Sequence, residues 1–200
     1  MGRTPSGYVR GVEEIAGIRT ARVDEGRALE WLERRASRGS GAVRRGLPDR
    51  VFAVPVAQLR AGIVRVAESE AGELLGFSLL LGPHHGVCEL DGLFVDPDAQ
   101  GAGVGRLLIV DARAEAVRRG AARIEVVSAS ESVGFYARMG FKGRRTVPTR
   151  YGPAVRMGLD IDDASALLRR EVRLAAPARP AARRARRGGT PAPDRRAAEA

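Results

Sequence analysis

The sequence predicts an α+β fold, on the basis of two hairpins and a strand–loop–helix unit between them. Segments 62–68 and 73–81 are rich in β-forming residues and flank the turn 69–72, which is typical of paired antiparallel strands. A second hairpin is predicted from Phe141 to Leu159. Between the hairpins, residues 87–119 pass from a strand through a glycine-rich loop into a helical pattern. With the elements described next, the predicted order is β-α-(α)-β-β-β-α-β-α-β-β.

The chain ahead of the first hairpin begins with a predicted strand and helix. Apolar and polar residues alternate over 18–23, which indicates a strand. Asp24 is predicted to be the N-cap of the following helix, with Glu25 in its first turn. An apolar stripe that begins at Ala28 predicts that this helix continues to about Ala36. Trp31 lies within it, and we expect its side chain in the core or in the wall of a cleft.

Composition predicts two of the segments that connect these elements. Residues 38–49 (RGSGAVRRGLPD) are rich in glycine and arginine and predict a mobile loop, and residues 54–61 fit a short second helix. Residues 82–86 form a turn that carries His84 and His85. Adjacent residues point in different directions, so this pair does not have the spacing of a metal site, and we predict a surface turn.

The second half of the domain supplies a strand, a helix and the last hairpin. Residues 123–128 predict a strand, and residues 132–139 a helix that Ser128 or Ser130 could cap. Cys88, the only cysteine, is interpreted as a small buried strand residue. A single cysteine excludes an internal disulfide and fits a reducing cytoplasm.

The central stretch, Val87–Gly105, reads VCELDGLFVDPDAQGAGVG and predicts an anion site. Gly92 inside the strand indicates a bulge or bend, and Asp96-Pro97 is a strand stop. Glycines then lead into the first turn of a helix, whose unpaired N–H groups and dipole favour a phosphate group. A plain tight turn is the alternative interpretation of the same residues.

A dinucleotide-binding unit of the Rossmann type is excluded. Its third glycine would fall at position 106, where the chain has Arg106. Its ribose-binding acid would end the next strand, whereas Glu125 lies near the start of that strand.

The motifs in this region resemble those of the GNAT family of N-acetyltransferases. Gln100–Gly105 matches the signature Q/R-x-x-G-x-G/A, and Val95–Pro97 supplies a V-x-P before it. Phe135–Phe141 supplies an F-Y-x-x-x-G-F string. The resemblance covers roughly Gly17 to Ile161. It implies the acyl-CoA acyltransferase fold of that family, a mixed and mostly antiparallel central sheet flanked by helices on both faces, with acetyl-CoA as co-substrate.

The resemblance also implies which residues bind the coenzyme. The backbone N–H groups of the glycine loop would face the diphosphate. The bulge in the strand over 87–95, the cleft strand, would separate it from the next strand and leave a slot for pantetheine. Many relatives have asparagine where this chain has Ala129, so Ser128 or Ser130 would supply that contact. The implied cofactor-binding residues are Phe94, Val95, Gln100, Gly101, Ala102, Gly103, Val104, Gly105, Arg106 and Ser130.

Three side chains are candidates for the chemistry. Glu89 and Asp91 occupy alternate positions of the cleft strand and should share one face, where a carboxylate could take the proton of an amine. Glu89 also lies where some histone-type members of the family hold a catalytic glutamate, and is our first choice over Asp91. Tyr136 matches the family tyrosine near the coenzyme sulfur, and its phenol can donate to a thiolate. The alternative interpretation is that Tyr136 is only a core residue and that Glu89 and Asp91 only face solvent.

Composition places one domain ahead of a basic tail. From Ala164 onward there are ten arginines against three acidic residues, a net charge of +7 out of +10 for the whole chain. We expect an N-terminal lead over 1–16, the GNAT domain over 17–163, and a disordered Arg/Ala/Pro-rich tail over 164–200. The tail lacks interleaved aromatic residues, so contact with nucleic acid is the less favoured interpretation and would be nonspecific. No segment has the length and apolarity of a membrane span or a secretory signal.

The sequence thus predicts a cytoplasmic, acetyl-CoA-dependent N-acetyltransferase with no metal. We expect the acceptor to be the primary amine of a small molecule. A protein lysine or N-terminal amine, and a non-catalytic CoA-binding regulator whose tail contacts nucleic acid, are kept as alternatives. The residues that follow the first helix are implied to line the acceptor cleft. A homodimer is left open, and no membrane partner is expected.

Overall fold

The computed structural model describes residues 15–37, 54–149 and 152–161. The predicted loop 38–49, the tail 164–200 and all but the end of the N-terminal lead lie outside the described residues. The domain boundaries at 17 and 163 therefore stay predictions.

The described residues form a seven-stranded sheet with four α-helices, in the order that the sequence predicts. Along the sheet the strand order is β1-β2-β3-β4-β5-β7-β6. Only β4 and β5 run parallel, and every other neighbouring pair is antiparallel, so the sheet is mixed and mostly antiparallel as expected. The elements are β1 (Ile15–Thr20), α1 (Gly26–Ser37), α2 (Val56–Arg60), β2 (Val64–Ser69), β3 (Leu74–His84), β4 (Val87–Val95), α3 (Val104–Arg118), β5 (Arg123–Ser128), α4 (Val133–Arg138), β6 (Lys142–Thr149) and β7 (Gly152–Asp160).

Helices cover both faces of this sheet, and β3 shows which helix lies on which face. Leu79 packs with residues of α1 and α2, whereas Leu80 packs with residues of α3 and α4. Adjacent strand residues point to opposite faces, so the two helix pairs lie on opposite sides. The apolar residues on the α3 and α4 side form the larger cluster, which includes Leu90 and Val126 of the two parallel strands.

The start of α1 differs from the prediction. Asp24 is not the N-cap, because a 3₁₀ turn over Val23–Glu25 precedes the helix, which begins at Gly26. The capping carboxylate belongs to buried Glu25, which accepts a hydrogen bond from the Arg22 backbone N–H at 2.6 Å. The Arg19 guanidinium bonds the same carboxylate at 2.7 Å and, as the largest cause, lowers the pKa of Glu25.

Two further side-chain predictions differ from the structure. Trp31 is not in the core: it is 57% exposed, and the Arg35 guanidinium lies 4.6 Å from its ring centroid. The wall of a cleft stays a prediction for this residue. Neither Ser128 nor Ser130 caps α4, because a 3₁₀ turn over Ser130–Ser132 separates β5 from that helix, and Ser132 at the N-cap position makes no side-chain capping bond. Cys88 is fully buried as expected, and burial raises the pKa of its thiol.

A partly buried ion pair joins α3 to β2, the strand next to the edge strand β1. Asp111 on α3 accepts two hydrogen bonds from Arg65 on β2, at 2.8 and 2.9 Å. We expect Asp111→Asn to lower the free energy of unfolding by about 2 kcal/mol, since it leaves the half-buried guanidinium without its counter-charge. Urea denaturation measures this. Glu30→Gln, which breaks the exposed pair with Arg34, is the control and should change stability by less than about 0.5 kcal/mol.

No helix in the described ranges is both long and apolar enough to cross a membrane. Within the same ranges, no group of three His, Cys, Asp or Glu side chains is placed to hold a metal ion.

Candidate active site

A bulge in β4 opens the sheet beside β5. Leu79 of β3 pairs with Gly92 and the next residue, Leu80, pairs with Leu90, so Asp91 is the extra residue. The bulge predicted from Gly92 is therefore confirmed. The parallel pairing with β5 ends at the pair Leu90–Val126, although β4 continues to Val95. The last five residues of β4 consequently have no strand partner on the side that faces β5.

The glycine loop directly follows the free part of β4. Gly101 and Gly103 have φ values of 84° and 90°, in the region that favours glycine, and a Cβ on either would meet nothing within 4 Å. The structure contains no hydrogen bond from the N–H groups of Gly101, Gly103, Val104 or Gly105 to any described residue. The first bond across the start of α3 is that of the Leu107 N–H to the Gly103 carbonyl. A row of unpaired donors thus lies at the positive end of a 15-residue helix.

Packing holds the start of α3 in place. The Val104 side chain is buried with Leu75 and Leu108. A Cβ on Gly105 would lie 3.2 Å from Cζ of the Phe135 ring, so this glycine lets α4 approach the first turn of α3 closely. The loop therefore sits on a rigid base formed by β3, α3 and α4.

Tyr136 lies on α4 in the larger core cluster, with 6% of its surface exposed. Its ring packs edge-on against Phe135 and Phe141, with centroid distances of 5.2 and 5.3 Å. Burial raises the pKa of the phenol to about 12. No described residue hydrogen-bonds the hydroxyl, so that group is available to a bound molecule.

Glu89 lines a cavity of about 260 Å³ on the face that carries α1. Its cross-strand neighbour is Glu125, which accepts hydrogen bonds from Arg156 at 2.9 Å and from Arg123 at 3.4 Å. Glu89 makes no ion pair with any residue in the described ranges. His84 belongs to the cavity wall as well. Both histidines are exposed as predicted, but the turn is shorter than expected, because His84 is the last residue of β3 and only His85 lies in the turn.

Asp91, the bulge residue, lies near a buried carboxyl on α1. Glu33 is 9% exposed, and α1 packs on β4. Burial, followed by the charges of Asp91 and Glu30, raises the pKa of Glu33 to about 7. Like Glu89, both Glu33 and Asp91 lack an ion pair within the part of the chain that the structure describes. The face that carries α1 thus holds three carboxyl groups without a bound counter-charge.

The other implied cofactor residues surround the same opening. Phe94 and Val95 are on the unpaired part of β4, Gln100 begins the loop, and Arg106 projects outward from the first turn of α3. Ser130 is exposed at the end of β5, where its hydroxyl lies 3.4 Å from a carboxylate oxygen of Glu131.

Comparison with known proteins agrees with this geometry. Residues 60–143, which contain β2 to α4, match the family model described as an acetyltransferase (GNAT) domain. Residues 60–143 of the chain are therefore similar to a GNAT acetyltransferase domain. Over 77 residues, 38% of this chain, it is 39% identical to the peptidyl-lysine N-acetyltransferase YjaB of Salmonella typhimurium. That alignment covers 48% of the relative, so the chain spans about half the length of the curated protein it matches.

Solved structures show the same fold for the GNAT domain. The PaiA N-acetyltransferase of Thermoplasma acidophilum, in complex with coenzyme A, is 17% identical with a TM-score of 0.57, over 72% of this chain and 98% of that one. YncA of Salmonella typhimurium, solved with its cofactor acetyl-CoA, is 22% identical with a TM-score of 0.56, over 74% of this chain and 95% of that one.

Sequence reasoning missed one buried acid that faces β4, Glu33. The signal was present, because Glu33 follows Leu29 by four positions and Leu32 by one, and so falls on the buried stripe of α1. A carboxyl group on the buried side of a helix has to form an ion pair, be protonated or serve in function, because a buried unpaired charge costs free energy. That conflict, rather than any motif, singles the residue out.

Proposed function

We propose that the GNAT domain transfers an acetyl group from acetyl-CoA to a primary amine. The observation that carries the proposal is the row of unpaired backbone N–H groups at the start of α3, next to the unpaired edge of β4. Acetyl-CoA, the co-substrate, supplies the activated acetyl thioester. The protein would hold it, admit the amine, remove protons from that amine and stabilise the departing sulfur.

The glycine loop fits a diphosphate. Four N–H groups converge there with no partner in the described chain, and no Cβ fills the space above Gly101 and Gly103. Hydrogen bonds from neutral donors to a charged acceptor contribute roughly 1.5–3 kcal/mol each, so the loop alone accounts for a large part of the binding energy.

The unpaired edge of β4 fits the arm of the coenzyme. Backbone groups of Phe94 and Val95 would bond its amides in place of the missing strand, as an added strand does at a free sheet edge. Because the bulge at Asp91 causes the opening, the arm and the bulge carboxylate would meet at the same point of the sheet.

The face that carries α1 fits a cationic acceptor. An alkyl ammonium has a pKa near 10.4 and is almost entirely protonated at pH 7, so it needs both a counter-charge and a proton acceptor. Glu89 and Asp91 supply unpaired carboxylates beside the opening. We assign them to attracting and binding the ammonium, whose proton a carboxyl group on this face would accept.

Tyr136 would donate a hydrogen bond to the sulfur. A phenol with a pKa near 12 stays protonated through the physiological range, so it can act as a donor and not as a base. Negative charge that develops on sulfur in a dry site is stabilised by such a preorganised donor.

A small-molecule amine is our first choice of acceptor, because the cavity beside Glu89 has a volume of about 260 Å³. A lysine side chain of a protein is the second, favoured by the similarity to a peptidyl-lysine N-acetyltransferase. The two candidates need the same chemistry and differ in what surrounds the amine.

Two measurements test the proposal. Calorimetric titration of the purified protein should show binding of coenzyme A, and the absence of binding heat would remove the function altogether. A screen of polyamines, amino acids and lysine peptides with acetyl-CoA, read by release of free thiol and by product mass, should then identify an acceptor. Binding without release of thiol for any amine would favour a regulator over an enzyme.

A further inference from the structure

We propose that Glu33 of α1 is the group that takes the proton from the acceptor ammonium, which Asp91 of the β4 bulge holds in place. The inference deepens the proposed function and rests on it. It assigns the base to a helix residue that no motif contains, rather than to Glu89 or to Asp91 itself.

Glu33 lies on the helix that packs against the bulged strand β4. α1 packs on β3 and β4 through Leu29 and Leu32, which are almost completely buried. Glu33 follows Leu32 and is also buried, with 9% of its surface exposed. Opposite it, Asp91 is the residue that the bulge forces out of the ladder.

Among the described residues, the charges that act on Glu33 are both negative. Asp91 comes from β4 and Glu30 from α1 itself, while the β3 residues packed against α1, Phe77 and Leu79, are apolar. Arg34, also on α1, bonds Glu30 at 2.7 Å. Among described residues no cation is paired with Glu33, and its pKa of about 7 reflects burial and the two carboxylates.

This environment suits proton removal at neutral pH. A buried, unpaired carboxylate costs free energy that an incoming ammonium group would relieve. A base with a pKa near the working pH combines a useful ionised fraction with enough basicity, whereas an ordinary carboxylate near 4.3 is a weak acceptor. Asp91 is exposed and is therefore placed to meet the incoming ammonium first.

The ammonium gives one proton to the Glu33 carboxylate, and the neutral nitrogen lone pair forms the C–N bond to the acetyl carbon. The C–S bond breaks with its electron pair going to sulfur, and the second proton lost by nitrogen ends on that sulfur, which Tyr136 hydrogen-bonds meanwhile. Glu33 returns its proton to water after product leaves. The net products are the acetamide, the free thiol and one proton.

The test is the pH dependence of kcat/KM for the full chain with the acceptor found by the screen. In the wild type, kcat/KM should rise tenfold per pH unit below about 7 and level off above it, because only ionised Glu33 accepts the proton. Glu33→Gln should lower the plateau about 100-fold and remove the break near pH 7, so that the remaining rate rises with the fraction of neutral amine up to about pH 10.

Glu30→Gln is the matched control, an acid-to-amide change one turn earlier on α1. It removes a neighbouring negative charge, so the break should move to lower pH while the plateau stays unchanged. Asp91→Asn should also move the break down, and in addition raise KM, because it removes the charge that holds the ammonium. A Glu33→Gln profile that keeps both the break and the plateau would overturn the proposal.

A second readout does not need catalysis. The folded protein holds the Glu33 proton up to about pH 7, whereas the unfolded chain releases it near 4.5, so this group loses its stabilising effect as the pH rises between those values. The urea midpoint of the wild type should therefore fall relative to that of Glu33→Gln from pH 5 to pH 8. Equal pH dependence of the two proteins would contradict the buried placement of Glu33. Failure of the proposed function would look different: the urea difference would remain, and no amine would be acetylated by the wild type.

Discussion

Replacing Tyr136 by phenylalanine is expected to lower kcat about 100-fold and to leave the affinity for coenzyme A within about twofold. The substitution removes one oxygen and keeps the ring that packs edge-on against Phe135 and Phe141. Since no described residue bonds the hydroxyl, its loss should leave the free energy of unfolding nearly unchanged. Steady-state kinetics, calorimetric titration of coenzyme A and urea denaturation measure the three quantities.

The raised pKa of Tyr136 specifies what the residue does. A phenol near 12 is a much weaker acid than a thiol near 8.5, so complete transfer of its proton to a thiolate is unfavourable by more than a thousandfold. We therefore expect a hydrogen bond to the sulfur and no break in the pH profile below pH 10 from this residue. Tyr136→Leu provides the contrast, because it should also destabilise the fold by about 2 kcal/mol through lost packing. An unchanged kcat in Tyr136→Phe would exclude Tyr136 from the mechanism.

The backbone of the site could be predicted from local signals. The predicted bounds of β4 and β5 agree with the structure, because Asp96-Pro97 ends one strand and a run of β-branched residues defines the other. Gly92 indicated the bulge, and the glycines before α3 indicated an open loop. Each of these features depends on residues within a few positions of one another, which is what a sequence pattern records.

Side-chain environments depended on partners far along the chain and could not be predicted in the same way. Burial beneath α1 raises the pKa of Glu33, and the charge of Asp91 across the α1–β4 interface adds to that effect. Glu25 replaced Asp24 as the capping acid because Arg19 on β1 holds it. Trp31 fitted the apolar stripe of α1, yet the face of the helix toward Phe77 and Leu79 was already filled by Leu29 and Leu32. The periodicity of apolar residues indicates which side of a helix is buried. How many residues that buried side includes depends on the packing of the neighbouring elements.

Replacing Gly103 by valine is expected to weaken coenzyme A binding about 100-fold. At φ of 90° the backbone of Gly103 is in a region where a β-branched residue is strained by about 2 kcal/mol, so the loop should relax and turn its N–H groups away from their common direction. Losing two such donors to a charged group corresponds to roughly 3 kcal/mol, or about two powers of ten in affinity. Calorimetric titration gives the affinity and urea denaturation the accompanying loss of stability.

Gly72→Val separates strain from binding. Gly72 has φ of 82°, and a Cβ there also meets nothing within 4 Å, but it lies in the turn between β2 and β3, away from the loop before α3. Both variants should lose about 2 kcal/mol of stability, because the backbone strain is the same, and only Gly103→Val should lose affinity for the coenzyme. Equal affinities in the two variants would mean that the amides before α3 do not hold the diphosphate. The unpaired N–H groups would then be those of an ordinary solvated helix start, and the coenzyme would have to be anchored by side chains elsewhere on the cleft.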